Sequence, residues 1–401
     1  MDYTFIYYHR IHFPSASGQT IQVLRDYHAL SGTLGTVHIF YRSPVPHRNA
    51  EINDSLKDYG SKLTPHFQMH CIIDGWFGKS RTEKEVIRLI QSSEKPVIIV
   101  TRTLYHAEKA ISIRDKFRSG PPIKVILELH ETAIPHIVYH EQKRNIKAFF
   151  SLRKEKKIFC ETDGILCTAP PQLTILDRRF PDHAPAVVLP NAFSPSAAGL
   201  DLKRGNILRA GKKSFHIRYA GQFSLWKNTD VIIEAMKFLP DTVLLDIAGG
   251  KPEDEEGTEK MLMEKSQICG VENRVKYFGF LAPTRVPLFL AEADCLVLPL
   301  GNNVQSRLFT SPIKLFEYAA SRVPMIVTRQ PTTSTLLEEG VHALMVEPDS
   351  PQELAEAVRA VSMDKKMAQK LADKAKEWVA QYAPHRHTEN YKNFLSAIIG
   401  H

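Results

Sequence analysis

Short apolar runs recur along the chain, separated by stretches with helical spacing. In the first half they are TFIYYH (4–9), TVHIFY (36–41), VIIVT (97–101), KVILEL (124–129), GILCT (164–168) and AVVLP (186–190). Near-continuous apolar strands alternating with helices predict a mostly parallel sheet covered on both faces, a doubly wound, Rossmann-like α/β architecture. The second half repeats the pattern in HIRYAG (216–221), TVLLDIAG (242–249), RVKYFG (274–279), DCLVLP (294–299), PMIVT (324–328) and ALMVE (343–347). Between the halves, SPSAAGLDLKRGNILRAGKKS (194–214) is rich in small and basic residues and has little apolar periodicity, which marks a linker. The expected organisation is a domain over 1–195, a linker over 196–213 and a second domain over 214–384. Segments 351–363 and 364–381 read as helices. The last one, 385–399 within 385–401, is expected to cross back onto the first domain.

Length supports two domains, since 401 residues exceed the roughly 250–300 that one hydrophobic core organises. Hydrophobic residues at 43% and charged residues at 24% indicate a globular protein. The start, MDYTFIYYHRIHF, reads as a strand rather than a secretory leader, and no apolar run approaches the ~18–20 residues that cross a bilayer. Cys71, Cys160, Cys167, Cys269 and Cys295 are scattered and lack CxxC spacing, so buried thiols in a reducing cytosol are expected rather than disulfides or zinc. The net charge of +8 predicts attraction to an anion: nucleic acid, phospholipid or a phosphorylated substrate.

Four stretches carry candidate chemistry. In SPIKLFEYAASRVPMIV (311–327), Ser311 suits an N-cap and Pro312 the first helical position, so a helix N-terminus faces the loop GNNVQSRLFT (301–310). Such a terminus favours phosphate. At 100° per residue Glu317 shares a face with Ile313, Phe316 and Ala320, while Lys314 and Tyr318 point away. A semi-buried carboxylate there either pairs with Lys314 or accepts hydrogen bonds from ligand hydroxyls such as a ribose diol. In YAGQFSLWKNTDVIIEAM (219–236) a strand end leads through a loop to Lys227, which either meets a phosphate or is solvated. His130 and Glu131 follow the strand KVILEL directly, at an active sheet edge or merely hydrogen-bonded there. Gly18 in FPSASGQTIQVLRDYHAL (13–30) either lets backbone N–H groups approach a ligand or is a plain turn glycine. There is no GxGxxG, P-loop, HExxH or GxSxG, and the acidic run PEDEEGTE (252–259) reads as solvated surface.

The order of these motifs, with TDGILCTAPPQLTIL (162–176), VLPNAF (188–193), LDIAGG (245–250) and VKYFGFL (275–281), resembles the GT-B glycosyltransferases of the large retaining family GT4. That resemblance implies two Rossmann-like domains facing across a cleft, a nucleotide-sugar donor held by the C-terminal domain and an acceptor received by the N-terminal one. It implies catalytic roles for His130, near the transferred sugar, Lys227, on the diphosphate, and Glu317, on the ribose. Gly18, Gln222, Phe280, Arg307, Phe309, Ser311 and Pro312 fall at donor-binding positions, with the Phe280 backbone at the base. Two positions depart from the family pattern. Phe309 stands where the first glutamate of E-x7-E belongs, and Gln222 where an arginine commonly follows the phosphate-loop glycine; Arg307 is a candidate to restore the charge.

The resemblance also implies transfer of a hexosyl or deoxyhexosyl unit with retention, no cofactor and no obligatory metal. The basic, aromatic segment EQKRNIKAFFSLRKEKKIFC (141–160) either lies on an anionic membrane surface or packs on the sheet. A glycan or lipid-linked acceptor, a role in envelope polysaccharide or glycolipid synthesis, and a cytoplasmic, peripherally membrane-bound protein are therefore expected. The alternative is a non-catalytic nucleotide-sugar-binding subunit. Nucleic acid is not an expected partner, because the basic residues lack interleaved stacking aromatics.

Overall fold

The computed structural model describes residues 2–15, 17–73, 78–118, 120–130, 146–193, 214–223, 228–250 and 252–399. Internal contacts divide the chain into two compact units: Met1–Pro190 with Phe309–Ser311 and Pro384–His401, and Asn191–Leu308 with Pro312–Ala383. The linker expected over 196–213 lies outside the described residues.

The first unit runs β1 (Tyr3–His12), α1 (Gly18–Leu30), β2 (Gly35–Ser43), α2 (Asn49–Lys57), β3 (Phe67–Ile73), α3 (Gly78–Gln91), β4 (Val97–Thr101), α4 (Leu104–Lys116), β5 (Ile123–Leu129), α5 (Ile146–Glu161), β6 (Gly164–Cys167), α6 (Pro170–Arg179) and β7 (Ala186–Val188). Its seven strands are parallel in the order β3-β2-β1-β4-β5-β6-β7. β3 is the strand that the apolar runs do not announce. It is an edge strand with mixed exposure, and its His70 bonds to His38 of β2 at 2.9 Å rather than entering a core.

Residues on alternate sides of each strand enter two cores, as the period of two requires. Phe5, Tyr7, Ile39 and Val100 pack with α1, and Ile6, Ile99, Val125 and Leu127 pack with α3, α4 and α5.

The described part of α5 packs in the second of these cores through Ile158 and Phe159. Its basic residues pair with acids: Lys154 with Glu108 at 2.6 Å, Lys156 with Asp182 at 3.5 Å and Lys157 with Glu161 at 3.9 Å. Residues 141–145 of the basic segment lie outside the described residues.

The second unit runs β8 (Phe215–Gly221), α7 (Asp230–Ala235), β9 (Val243–Gly249), α8 (Glu255–Cys269), β10 (Val275–Tyr277), α9 (Val286–Ala291), β11 (Cys295–Leu298), α10 (Ile313–Ala320), β12 (Met325–Thr328), α11 (Pro331–Ser334), β13 (Leu344–Val346), α12 (Pro351–Met363) and α13 (Lys365–Val379). Its six parallel strands follow the order β10-β9-β8-β11-β12-β13. Buried Arg218 of β8 ties three elements together, donating to Asp246 of β9 at 3.0 Å and to the Phe289 carbonyl of α9 at 2.6 Å. A buried guanidinium is tolerable only when paired in this way.

The last helix, α14 (Pro384–Ile399), belongs to the first unit and places Tyr391, Phe394, Leu395 and Ile398 in the core beside α1. Gly164 permits this approach: a methyl there would stand 2.6 Å from Phe394 Cζ. Cys167 and Cys295 are buried, whereas Cys160 is exposed, and all five thiols are free. No helix among the described residues is long and apolar enough to cross a membrane.

Candidate functional site

In each sheet the strand order reverses once, between β1 and β4 and between β8 and β11. Open α/β sheets take ligands at the carboxyl ends of the strands flanking such a reversal.

At the second reversal β8 ends on Gly221 and β9 on Gly249. Gly249 and Gly250 have φ of 122° and 92°, a region that side-chain-bearing residues rarely occupy. A methyl on Gly249 would overlap the Gly221 carbonyl, and the Gly250 N–H donates to that carbonyl at 3.1 Å. Gly249 N–H donates in turn to the Gly279 carbonyl at 2.9 Å, so three strand ends meet with almost no side-chain bulk.

Above this floor stands α10. Its first residue is Ile313, with Pro312 in extended backbone at the cap position and no side-chain cap. The helix therefore starts one residue later than predicted: Ser311 precedes the cap and Pro312 occupies it. The Leu315 N–H bonds back to the Pro312 carbonyl at 2.9 Å, and the positive end of the helix dipole keeps its attraction for an anion.

The helical wheel also needs correcting. Lys314 and Tyr318 do not point away; Tyr318 is fully buried and its hydroxyl accepts from the Ala220 N–H at 3.2 Å. α10 is covered on both sides, because Phe316 stacks on Trp378 at 5.8 Å while Tyr318 reaches the end of β8. A helix buried all round has no single inward face from which a wheel can read direction.

Lys314 is the candidate site residue that the sequence reading pointed away from the site. Its side chain lies across Gly221, so that a Cβ there would overlap Cε and Nζ, and the ammonium is 5.6 Å from the Tyr219 ring. Among the described residues the ammonium forms no ion pair or hydrogen bond, and the Glu317 carboxylate one turn on acts on it electrostatically. Burial pushes its pKa from 10.5 down to about 8, and the Glu317 carboxylate pulls it partly back. A cation at the positive end of its own helix, without a counterion, is an arrangement that an anion would complete. The sequence signal was available in Lys314 following Gly-rich strand ends, but only the register of β8 against α10 brings the two together.

Glu317 is buried at 9% exposure, as expected for a carboxylate held inside. Phe309 ends a π-helical turn, Gln305–Phe309, that also carries Arg307, and is itself 3% exposed. Such turns are frequent at functional sites. The Gln222 carbonyl accepts from the Tyr219 hydroxyl at 3.0 Å. The Phe280 N–H, expected to face a base, donates to Glu255 Oε1 at 3.0 Å. Lys227 lies outside the described residues.

In the first unit Gly18 opens α1, and a methyl there meets nothing within 4 Å; Ser17 caps the helix by accepting from the Thr20 N–H at 3.1 Å. His130 stands at the end of β5, its Nε2 3.6 Å from the Glu128 carboxylate. Burial and Arg102 hold His130 down at about 4, against the pull of Glu128. Tyr7 and Tyr27 donate to the same carboxylate at 3.4 and 3.2 Å. Glu131 lies outside the described residues.

Comparison with known proteins bears on the fold and the family. Residues 205–378 match the family model of glycosyl transferases group 1. A curated relative, the mannosylfructose-phosphate synthase of Agrobacterium fabrum, is 26% identical over 216 residues, which cover 51% of this chain and 46% of that protein. The match thus spans less than half of the relative's own length. Among solved structures, the sucrose-phosphate synthase of Thermosynechococcus elongatus superposes with a TM-score of 0.76 at 17% identity, covering 100% of this chain and 99% of that one. HepE of Anabaena, solved in complex with UDP, superposes with a TM-score of 0.70 at 17% identity, over 99% and 100% of the two chains. Over residues 205–378 the chain is therefore similar to glycosyl transferases group 1, and its two Rossmann-like units have the fold of the GT-B structures.

Proposed function

We propose that this protein transfers a hexosyl or deoxyhexosyl unit from a nucleoside-diphosphate sugar to a glycan or lipid-linked acceptor with retention at the anomeric carbon. The observation that carries this reading is the ammonium of Lys314, in no ion pair among the described residues, lying across Gly221 at the N-terminus of α10 with Glu317 one turn away. The UDP held by the HepE relative supports a nucleoside diphosphate as the ligand.

When the bond between C1 and the β-phosphate oxygen breaks, negative charge grows on the departing diphosphate and positive charge on the sugar. Lys314 and the α10 N–H groups stabilise that charge more as it develops than in the ground state, which accelerates the step. Lys227 is assigned to the same diphosphate by the resemblance. The acceptor oxygen forms the new bond to C1 from the face the diphosphate leaves, and its proton passes to the leaving phosphate oxygen, so no general-base carboxylate is needed. Glu317 accepts hydrogen bonds from the ribose diol, which offsets the cost of burying a carboxylate. Protein cations supply the charge, so neither a metal nor another cofactor enters the reaction; full turnover in EDTA is expected.

A role in cell-envelope polysaccharide or glycolipid synthesis at an anionic membrane surface follows only if the acceptor is lipid-linked. The replacement of an acidic position by Phe309 and of a basic one by Gln222 supports a second reading, a nucleotide-sugar-binding subunit without turnover. Incubation of the purified chain with UDP-, GDP- and dTDP-sugars, with and without membrane extract, separates the two. Nucleotide release supports the transferase; saturable binding without release in every condition supports the subunit.

A further inference from the structure

The reversal in the first sheet gathers a second group of basic side chains, of which the resemblance assigns only His130 to the transferred sugar. β1 pairs with β4 only as far as Tyr7 opposite Val100. Beyond Tyr7 its pairing with β2 slips, Tyr7 lying opposite Ile39 and Arg10 opposite Phe40. The slip is a bulge at Tyr8 and His9, where the strand order reverses and a crevice is expected; bulges commonly re-aim side chains beside active sites.

His9 comes from that bulge, Arg102 from just beyond β4, His106 from the first turn of α4 and His130 from the end of β5. The His9 and His106 rings stand 5.2 Å apart at 88°, and Arg10, Arg102, His106 and His130 all lie close enough to act electrostatically on His9. Arg10 packs against Gly78, the first residue of α3, where a methyl would overlap its guanidinium. Lys79, the next residue, lies 4.8 Å from the Tyr105 ring.

The carboxylates facing this group are already engaged. Glu128 accepts from Tyr7 and Tyr27 and lies beside His130, and Glu83, close to Tyr8, is 3.9 Å from Lys109. Among the described residues the buried His9 Nδ1 has no hydrogen-bond partner, whereas His130 Nε2 faces the Glu128 carboxylate at 3.6 Å.

We propose that this crevice binds a phosphate group carried on the acceptor sugar, with Arg10 and Arg102 as its charged ligands and His9 and His106 as neutral donors. Arg10, Lys79 and Arg102, set against the buried Glu128 carboxylate that acts on Arg102, leave about two positive charges for the roughly two negative charges of a phosphate ester. One Arg102 Nη donates to Gln22 Oε1 at 3.4 Å, and the rest of its fork suits the phosphate oxygens. Burial and the neighbouring cations hold His9 at about 3 and His106 at about 4, so the rings are neutral and can each donate one N–H. That the phosphate belongs to an acceptor rests on the transferase reading; the anion site itself rests on the first unit alone.

The test is made on the full chain, first without any donor. Titration calorimetry compares glucose 6-phosphate with glucose at low ionic strength, in wild type and in Arg10→Ala, Arg102→Ala and Arg102→Lys variants. The expected result is binding of the hexose phosphate at least tenfold tighter than the hexose, weakened at least tenfold in both alanine variants and partly restored in Arg102→Lys. Thermal melting identifies any variant that fails to fold, and Lys79→Ala, exposed on α3, then serves in its place with an expected loss of at least threefold. Equal affinity for hexose and hexose phosphate, or affinity unmoved by the substitutions, overturns the inference even if nucleotide sugars bind.

A second arm offers a UDP-sugar with either the hexose phosphate or a polyprenyl-diphosphate-linked sugar. Turnover of the first assigns a soluble acceptor, and turnover of the second alone a lipid-linked one; a preference for the unphosphorylated sugar contradicts the proposal. Absence of donor binding would sink the transferase reading while leaving the phosphate titration to be judged separately.

Discussion

Lys314 lies across the α-carbon of Gly221, so closely that a side chain at 221 and the lysine ammonium cannot both occupy their places. The ammonium makes no ion pair among the described residues, and it projects from the first turn of α10 over the end of β8. On the proposed reading, that pairing makes the second unit's strand reversal an anion site.

Gly221→Ala is expected to displace Lys314 without unfolding the protein, because the atoms that must move are the end of a flexible side chain. Affinity for a nucleoside diphosphate should fall by about tenfold, or ~1.4 kcal/mol, while the thermal midpoint changes little. Calorimetry and a melt on the same sample check both halves.

The pH dependence of nucleotide binding should carry the signature of Lys314. Without ligand it titrates at about 8, and a bound diphosphate raises that value by favouring the charged form. Affinity is therefore full below pH 8 and falls as pH rises above it, by at most tenfold per unit. The ligand-free protein should behave in the opposite sense. The folded value is depressed below the ordinary 10.5, so the cost of burying the charge is present below pH 8 and is relieved between about 8 and 10.5. In Lys314→Met both trends should vanish.

Glu317→Gln keeps the shape of the side chain and removes its charge. If the carboxylate accepts from the ribose diol, the variant binds UDP about tenfold more weakly and no longer distinguishes UDP from 2′-deoxy-UDP. Inorganic diphosphate, which has no diol, should bind the variant and the wild type alike.

Phe394 holds α14 in the core of the first unit, 7% exposed and close against Gly164. Phe394→Ala should cost about 3 kcal/mol in urea unfolding, in the usual range for a large core residue. Gly164→Ala should destabilise by a smaller amount, because the ring must give way to the added methyl.

Much of the fold was legible because its strands are buried on both faces: VIIVT is a strand over just the residues the apolar run marks, 97–101. β3 was not, since its exposed edge position leaves FQMHCII without a clear pattern. In the candidate site Glu317 was legible as a carboxylate among apolar neighbours. Lys314 was not, because a wheel assumes one buried face and α10 has two. The bulge at Tyr8 and His9 was hidden for a different reason: slippage is a property of the pairing between β1 and β2, and neither strand records it alone.

The central claim is that the second unit grips a nucleoside diphosphate through Lys314 and the start of α10. Titration of the wild type and Lys314→Met with UDP, GDP and dTDP tests it most directly. The account predicts saturable binding of at least one of the three by the wild type and a loss of about tenfold or more in the variant, with the fold intact. Equal affinity in the two proteins, or no binding of any nucleoside diphosphate to the folded wild type, would contradict it.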